Sequence, residues 1–174
     1  MVIIYLAGHG TSIADEWYFI CHDVTHPERE DQVQTKGISS TEMARMIMNI
    51  PALKKALLID SCKSGGFLQA LSRGVEDRRA IAQLARATGT HVIAASTDKQ
   101  LSSEISQLGH GVFTYALLQG LRGKAENRER IVTVRGLIAY LEGELPGISE
   151  KYRNIPQYPV VDSRGQDFPL AVNR

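Results

Sequence analysis

The strongest constraint on the fold of this chain is a set of three short apolar runs that do not alternate with polar residues. They are VIIYLAG (2–8), KALLID (55–60) and THVIAAS (90–96). A strand with one solvated face alternates apolar and polar residues, whereas a strand buried on both faces of a parallel sheet does not. These three runs therefore predict buried strands of a parallel sheet.

Segments with the apolar spacing of helices lie between and after these runs. They cover residues 39–50, 76–87, 111–122 and 134–145. Two further runs, WYFIC (17–21) and FPLAV (168–172), predict additional strands. Strands that alternate with helices predict a three-layer α/β/α domain with a mostly parallel central sheet.

The size and charge of the chain exclude several classes of protein. Its 174 residues, of which 43% are hydrophobic, suit one domain with a substantial core. A net charge of +1 gives no basic surface for a nucleic acid, and no apolar run reaches the roughly 18 residues that would cross a membrane. Two cysteines and no secretory signal favour a reducing compartment, so we expect a cytoplasmic protein.

A histidine and a cysteine follow two of the predicted parallel strands. His9 stands between Gly8 and Gly10 after the first run, and Cys62 follows KALLID. Parallel sheets carry their sites at the carboxyl ends of the strands, so parallel neighbours would bring the two side chains to one edge. A lone cysteine here would be a small buried hydrophobe. Core packing does not explain a histidine between two glycines, however, so the pair predicts a thiol nucleophile with an imidazole that manages its proton.

The segments YLAGHGT (5–11) and LLIDSCKSGG (57–66) resemble the histidine and cysteine motifs of the caspase-like cysteine peptidases, particularly the metacaspase and bacterial orthocaspase branches. The resemblance continues through most of the chain, including GISSTEMARMI (37–47), HVIAASTDKQLSSE (91–104) and GHGVFTYALLQGL (109–121). In caspases the histidine precedes the cysteine by about 50 residues. The resemblance implies that His9 and Cys62 form the catalytic dyad, and that the backbones of Gly10 and Cys62 form the oxyanion hole.

The residue two positions before the cysteine bears on specificity. The metacaspase-like branch has an aspartate there and cuts after Arg or Lys, and this chain has Asp60. A carboxylate in the pocket would pair with a basic side chain and repel an acidic one. Alternatively, Asp60 only caps its own turn. The resemblance also makes Ser96 and Thr97 neighbours of the bound peptide, whose backbone would pair with this segment as an added strand. Ala7 stands where metacaspases often carry a serine that lines the same pocket.

The resemblance implies one domain over residues 1–174, with a large-subunit-like portion at about 1–75 and a small-subunit-like portion at about 76–174. The family fold has a strand and helix before the histidine strand, and we expect this chain to lack them. The open edge of VIIYLAG would then be an aggregation hazard unless an upstream segment or a second chain covers it.

No cofactor is expected. The segment CHDVTH (21–26) lacks the second ligand pair of a structural zinc site. The acids Asp15, Glu16 and Asp23 are scattered and do not form the calcium-binding run of many metacaspases. We therefore expect no metal ligands, and calcium is the one alternative that these acids leave open.

Two functions are consistent with the sequence. The first is a cysteine endopeptidase that cleaves peptides or proteins after Arg or Lys through an acyl-enzyme, with activation by processing or by a partner. Arg73, Arg78 and Arg79 would match such processing. The second is a non-catalytic caspase-like module, or a subunit that needs a second chain.

Overall fold

The computed structural model of the chain describes residues 1–14, 16–61, 90–96, 111–163 and 165–173. The strands are β1 (Val2–Ile13), β2 (Glu16–Ile20), β3 (Ile38–Ser39), β4 (Lys55–Ser61), β5 (Thr90–Ser96), β6 (Ile131–Thr133), β7 (Tyr158–Ser163) and β8 (Pro169–Val172). The helices are α1 (Glu30–Lys36), α2 (Ser40–Met48), α3 (Val112–Gln119) and α4 (Val134–Arg153). A π-helical turn, Gly120–Lys124, extends α3.

Six of these strands form one mixed sheet in the order β3-β2-β1-β4-β5-β7. The pairs β1–β4 and β4–β5 are parallel. The pairs β1–β2, β2–β3 and β5–β7 are antiparallel. Strands β6 and β8 form a separate two-stranded sheet. The predicted α/β fold is confirmed, and its parallel part is the group β1, β4 and β5.

Alternate residues of β4 belong to two different hydrophobic cores, one on each face of the sheet. Leu57 and Ile59 pack in a cluster with residues of α2. Ala56 and Leu58 pack in a cluster with residues of α3 and α4. Because helices cover both faces of this strand, β4 is buried without alternation, as predicted. The result is the three-layer arrangement.

Strand β1 differs from the prediction of burial on both faces. Ile4 and Leu6 are partly buried against the α2 side of the core, whereas Ile3 and Tyr5 are 43% and 44% exposed. The apolar content of a run does not reveal whether a second layer covers it, so the sequence pattern did not distinguish β1 from β4.

A buried histidine fastens β5 to the end of β7. The Nδ1 atom of His91 lies 2.7 Å from Ser163 Oγ and its Nε2 atom lies 3.0 Å from the carbonyl oxygen of Gln166. Since a carbonyl only accepts, Nε2 donates, and in the uncharged ring Nδ1 accepts from Ser163.

We expect His91→Ala to lower the free energy of unfolding by about 3 kcal/mol, because it leaves a cavity and breaks both bonds. Urea unfolding monitored by circular dichroism measures this. Exposed His22 supplies the control, since His22→Ala should change it by less than about 0.5 kcal/mol.

Several sequence predictions fall outside the described part of the chain. They concern the helix at 76–87, the arginines at 73, 78 and 79, and the site residues Cys62 and Thr97. Within the described ranges, no helix is both long and apolar enough to cross a membrane.

Candidate active site

The carboxyl ends of β1 and β4 lie side by side. The two strands are parallel neighbours, and the last pair in their register is Gly8 opposite Ser61. His9 is the next residue of β1, and it is exposed. Cys62 follows Ser61 in the sequence but lies outside the described residues, so its contact with His9 stays a prediction.

The glycines on either side of His9 have a packing role that the sequence analysis missed. Trp17 and Phe19 of β2 lie against the face of β1 opposite to His9. A Cβ atom at position 10 would lie 2.4 Å from Trp17 Cζ2, and one at position 8 would lie 2.9 Å from Phe19 Cζ. Gly8 also has a φ of +157°. Packing therefore does explain Gly8 and Gly10, contrary to the prediction, because both positions make room for an aromatic ring.

Asp60 belongs to β4, and its side chain lies against the beginning of α3. It pairs in register with Ala7 of β1, so both residues belong to the face of the sheet that α3 and α4 cover. Its Oδ2 atom accepts a hydrogen bond from the backbone N–H of Thr114 at 3.2 Å and another from the Thr114 hydroxyl. A Cβ atom on Gly111 would lie 2.8 Å from the same oxygen. The carboxylate thus caps α3, where the positive end of the helix dipole stabilises negative charge.

A third side chain joins this group from β1. The hydroxyl of Tyr5 lies 2.7 Å from Thr114 Oγ1. Because Thr114 donates its only hydroxyl proton to Asp60, the Tyr5 hydroxyl donates to Thr114. Neither Tyr5 nor Thr114 was predicted to be a site residue. The available signal was that Tyr5 shares a strand face with Ala7, and that Thr114 stands at the start of a helix.

Burial is the largest influence on the Asp60 carboxyl and raises its pKa above the ordinary 3.8. The hydrogen bonds from Thr114 and the positive charge of Arg153 lower the pKa without offsetting burial. Burial also raises the pKa of Tyr5, the bond with Thr114 lowers it, and the charge of Asp60 raises it. The site therefore holds a half-buried acid that takes a proton more readily than an exposed aspartate.

The segment expected to bind the peptide backbone begins at the end of β5. Ser96 is opposite Tyr158, the first residue of β7, so β7 already occupies that edge of β5. A peptide that adds as a strand here would pair beyond Ser96, at Thr97 and later residues, which are not described. The roles of Ser96 and Thr97 stay predictions.

Glu16 serves as a second acidic helix cap, on the other side of the sheet. Its Oε1 atom accepts from Ser40 Oγ at 2.6 Å and from the Thr41 backbone N–H at 2.7 Å. These bonds fix the start of α2 against the β1–β2 hairpin. Glu16 was weighed only as a calcium ligand from the sequence, and its observed partners give it a structural role.

The segment around Cys21 carries no assembled ligand set. His26 pairs with Glu28 at 3.0 Å, and both side chains are exposed. Burial is the main cause that raises the pKa of Cys21, and the charge of Asp23 adds to it. Over the ranges that the structure describes, no group of three or more histidine, cysteine or acidic residues could hold a metal ion.

A comparison with family models matches residues 1–166 to the caspase domain of a peptidase family. A search of curated proteins finds no match.

Proposed function

This chain belongs to the caspase-domain family of cysteine peptidases, and from that premise we propose that it is an endopeptidase that cleaves protein chains after Arg or Lys. The observation that carries the proposal is the parallel pairing of β1 and β4, which ends at Gly8 and Ser61. The residues that come next in sequence are His9 and Cys62.

In the proposed reaction the Cys62 thiolate attacks the carbonyl carbon of the scissile bond. The backbone N–H groups of Gly10 and Cys62 bind the oxygen that becomes negative. Protonated His9 donates its proton to the leaving amine, and the new C–S bond forms the acyl-enzyme while the C–N bond breaks. Water then attacks the thioester with His9 as its base, which releases the carboxylic acid and restores the thiolate.

Asp60 supports the choice of a basic substrate. Its carboxylate lies on the same face of the sheet as His9, since His9 stands two residues after Ala7 in β1 and Ala7 pairs with Asp60. A half-buried carboxylate attracts a guanidinium or ammonium group strongly, because water screens the pair less than at an exposed site. The same charge disfavours a substrate with an acidic side chain.

A panel of fluorogenic peptides tests this proposal. The peptides carry Arg, Lys, Asp or Ala before the reporter. We expect kcat/KM for the Arg and Lys peptides to exceed that for the Ala peptide by at least about 100-fold, because only they place a cation beside Asp60. The Asp peptide should not be cleaved measurably. Preferred cleavage after Asp or Ala would contradict the proposed specificity.

A second function, a module or subunit that binds another segment, is favoured by the open edge of β1. Val2–Gly8 pairs with β4 along one edge, and in the described part of the chain no strand pairs with the other. An upstream segment or a second chain would add there as a strand.

The rate of alkylation of the two cysteines separates the two functions. A thiolate activated by His9 reacts faster at Cys62 than at Cys21, whereas equally slow labelling favours the module.

The proposed enzyme uses a free thiol, which favours a reducing compartment such as the cytoplasm. The reaction as proposed needs no cofactor. The division into portions at about residue 75, and processing near Arg73, Arg78 and Arg79, remain part of this proposal.

A further inference from the structure

Three side chains from three different elements form one hydrogen-bonded chain beside the proposed dyad. The hydroxyl of Tyr5 in β1 donates to Thr114 in α3, and Thr114 donates to Asp60 in β4. The backbone N–H of Thr114 donates to the same Asp60 oxygen. The chain therefore links both parallel strands of the site to the helix that covers them.

These hydrogen bonds determine which oxygen of the Asp60 carboxylate is occupied and how the group is oriented. Within the described residues both donors act on Oδ2, so Oδ1 is the oxygen that they leave for another donor. The β-branched side chain of Thr114 has restricted χ1 rotation, and its amide is fixed at the start of α3, so the two bonds hold the carboxylate in one orientation. A fixed carboxylate loses less conformational entropy when it binds a ligand than one that rotates.

We propose that Thr114, assisted by Tyr5, is a positioning residue that orients Asp60 so that Oδ1 binds the cationic side chain of the substrate. This inference rests on the proposed function for the identity of the substrate. Capping of α3 explains the Thr114 N–H bond, but it does not require the hydroxyl or Tyr5. The Thr114 bonds favour the ionised form of Asp60, because a carboxylate oxygen accepts hydrogen bonds more strongly than the carbonyl oxygen of a protonated carboxyl.

Among the residues that the structure describes, two further groups influence the charge of Asp60 besides Thr114. Tyr5 faces it from β1 through Thr114, and Arg153 at the end of α4 acts on it through its charge. Thr114→Val leaves Arg153 in place but also removes the acceptor of the Tyr5 hydroxyl. The part of the change in the Asp60 pKa that exceeds the change in Tyr5→Phe can therefore be assigned to the Thr114 hydroxyl.

The test measures binding in the Cys62→Ala background, which removes turnover from the result. The probes are Nα-acetyl-arginine amide and Nα-acetyl-alanine amide, and NMR titration gives their Kd values. We expect Thr114→Val to raise Kd for the arginine probe by about 10-fold, because it removes a hydrogen bond to a charged group. Thr114→Ser retains the hydroxyl and should keep Kd within about 2-fold, and Tyr5→Phe should raise it by about 3-fold.

A carboxyl titration by ¹³C NMR gives a second measurement. The pKa of Asp60 should rise further in Thr114→Val and stay near the wild-type value in Thr114→Ser. Thr35→Val is the matched control, because it removes an exposed threonine hydroxyl that bonds within α1. Equal Kd changes for the two probes, or loss of arginine binding in Thr114→Ser as well, would assign Thr114 a structural role only.

The binding measurement also separates this inference from the proposed function. If the arginine probe binds selectively and Thr114→Val weakens that binding, but the wild-type chain does not hydrolyse peptides, positioning by Thr114 stands and the peptidase proposal fails. If the arginine probe binds no more tightly than the alanine probe, the positioning inference is overturned whatever the turnover.

Discussion

Replacement of Cys62 by alanine is expected to lower kcat/KM for an arginine peptide by at least about 1,000-fold, because the acyl-enzyme can no longer form. His9→Ala should have an effect of similar size, since it removes the group that handles the proton. Steady-state hydrolysis of the fluorogenic arginine peptide measures both. The double variant should be little worse than either single variant, because the two residues act as one unit.

The other cysteine provides the control for this result. Cys21 is half-buried and its pKa is raised, chiefly by burial, so it is less reactive than an ordinary thiol. Cys21→Ala should retain wild-type hydrolysis. Turnover that survives in Cys62→Ala but vanishes in Cys21→Ala would show that the nucleophile has been assigned to the wrong residue.

Substitution of Asp60 by asparagine should lower kcat/KM for the arginine peptide by about 100-fold, because it removes the charge that pairs with the substrate. Asparagine keeps the size of the side chain and an oxygen that accepts from Thr114. The alanine peptide should be affected much less, so the ratio of the two kcat/KM values should collapse. Equal losses for both peptides would contradict a role in specificity.

The same carboxyl predicts how this selectivity depends on pH. As the pH falls through the raised pKa of Asp60, the carboxyl takes a proton and KM for the arginine peptide should rise. This should happen above the ordinary value of 3.8. A raised pKa also means that the stabilising contribution of Asp60 is present below 3.8 and is lost as the pH rises through the folded value. Asp60→Asn should therefore fold at neutral pH at least as stably as the wild type while it loses activity.

The central strands could be predicted closely because their apolar runs have clear ends. The sequence pattern placed β5 at 90–96, as found, and placed β4 within one residue of its observed end at Ser61. Strand β7 was missed because Pro159 and Asp162 interrupt its pattern. Proline is tolerated there because β7 lies at the edge of the sheet, where a missing N–H does not break a ladder on both sides.

Helix boundaries were harder to predict where packing overrides local preference. The sequence pattern ended the last helix at residue 145, before Pro146, but α4 continues to Arg153. Leu145 and Ser149 on either side of the proline are buried, so tertiary contacts outweigh the lost hydrogen bond. Helix α1 was not predicted, because Val33 is its only buried residue and gives no periodicity.

The sequence predicted which strand ends carry the candidate site better than it predicted what surrounds them. It proposed His9 because that residue follows a recognisable apolar run, and it proposed Asp60 from the resemblance to the metacaspase motif. It could not identify the link from Tyr5 through Thr114 to Asp60, because those residues are far apart in sequence and meet only when α3 packs on the sheet. The local signals at Tyr5 and Thr114 place each residue on its own element, but the contact between the elements depends on the tertiary structure.

The close fit of Trp17 against Gly10 limits how the region around His9 can change. A methyl group at position 10 would overlap the indole ring, and Ser61 Oγ would lie 2.8 Å away on the same side. Enlarging position 10 alone would therefore displace β1 and move His9 with it. Any redesign of the histidine loop must shrink position 17 in the same step, so the two strands of the hairpin have to be varied as one unit.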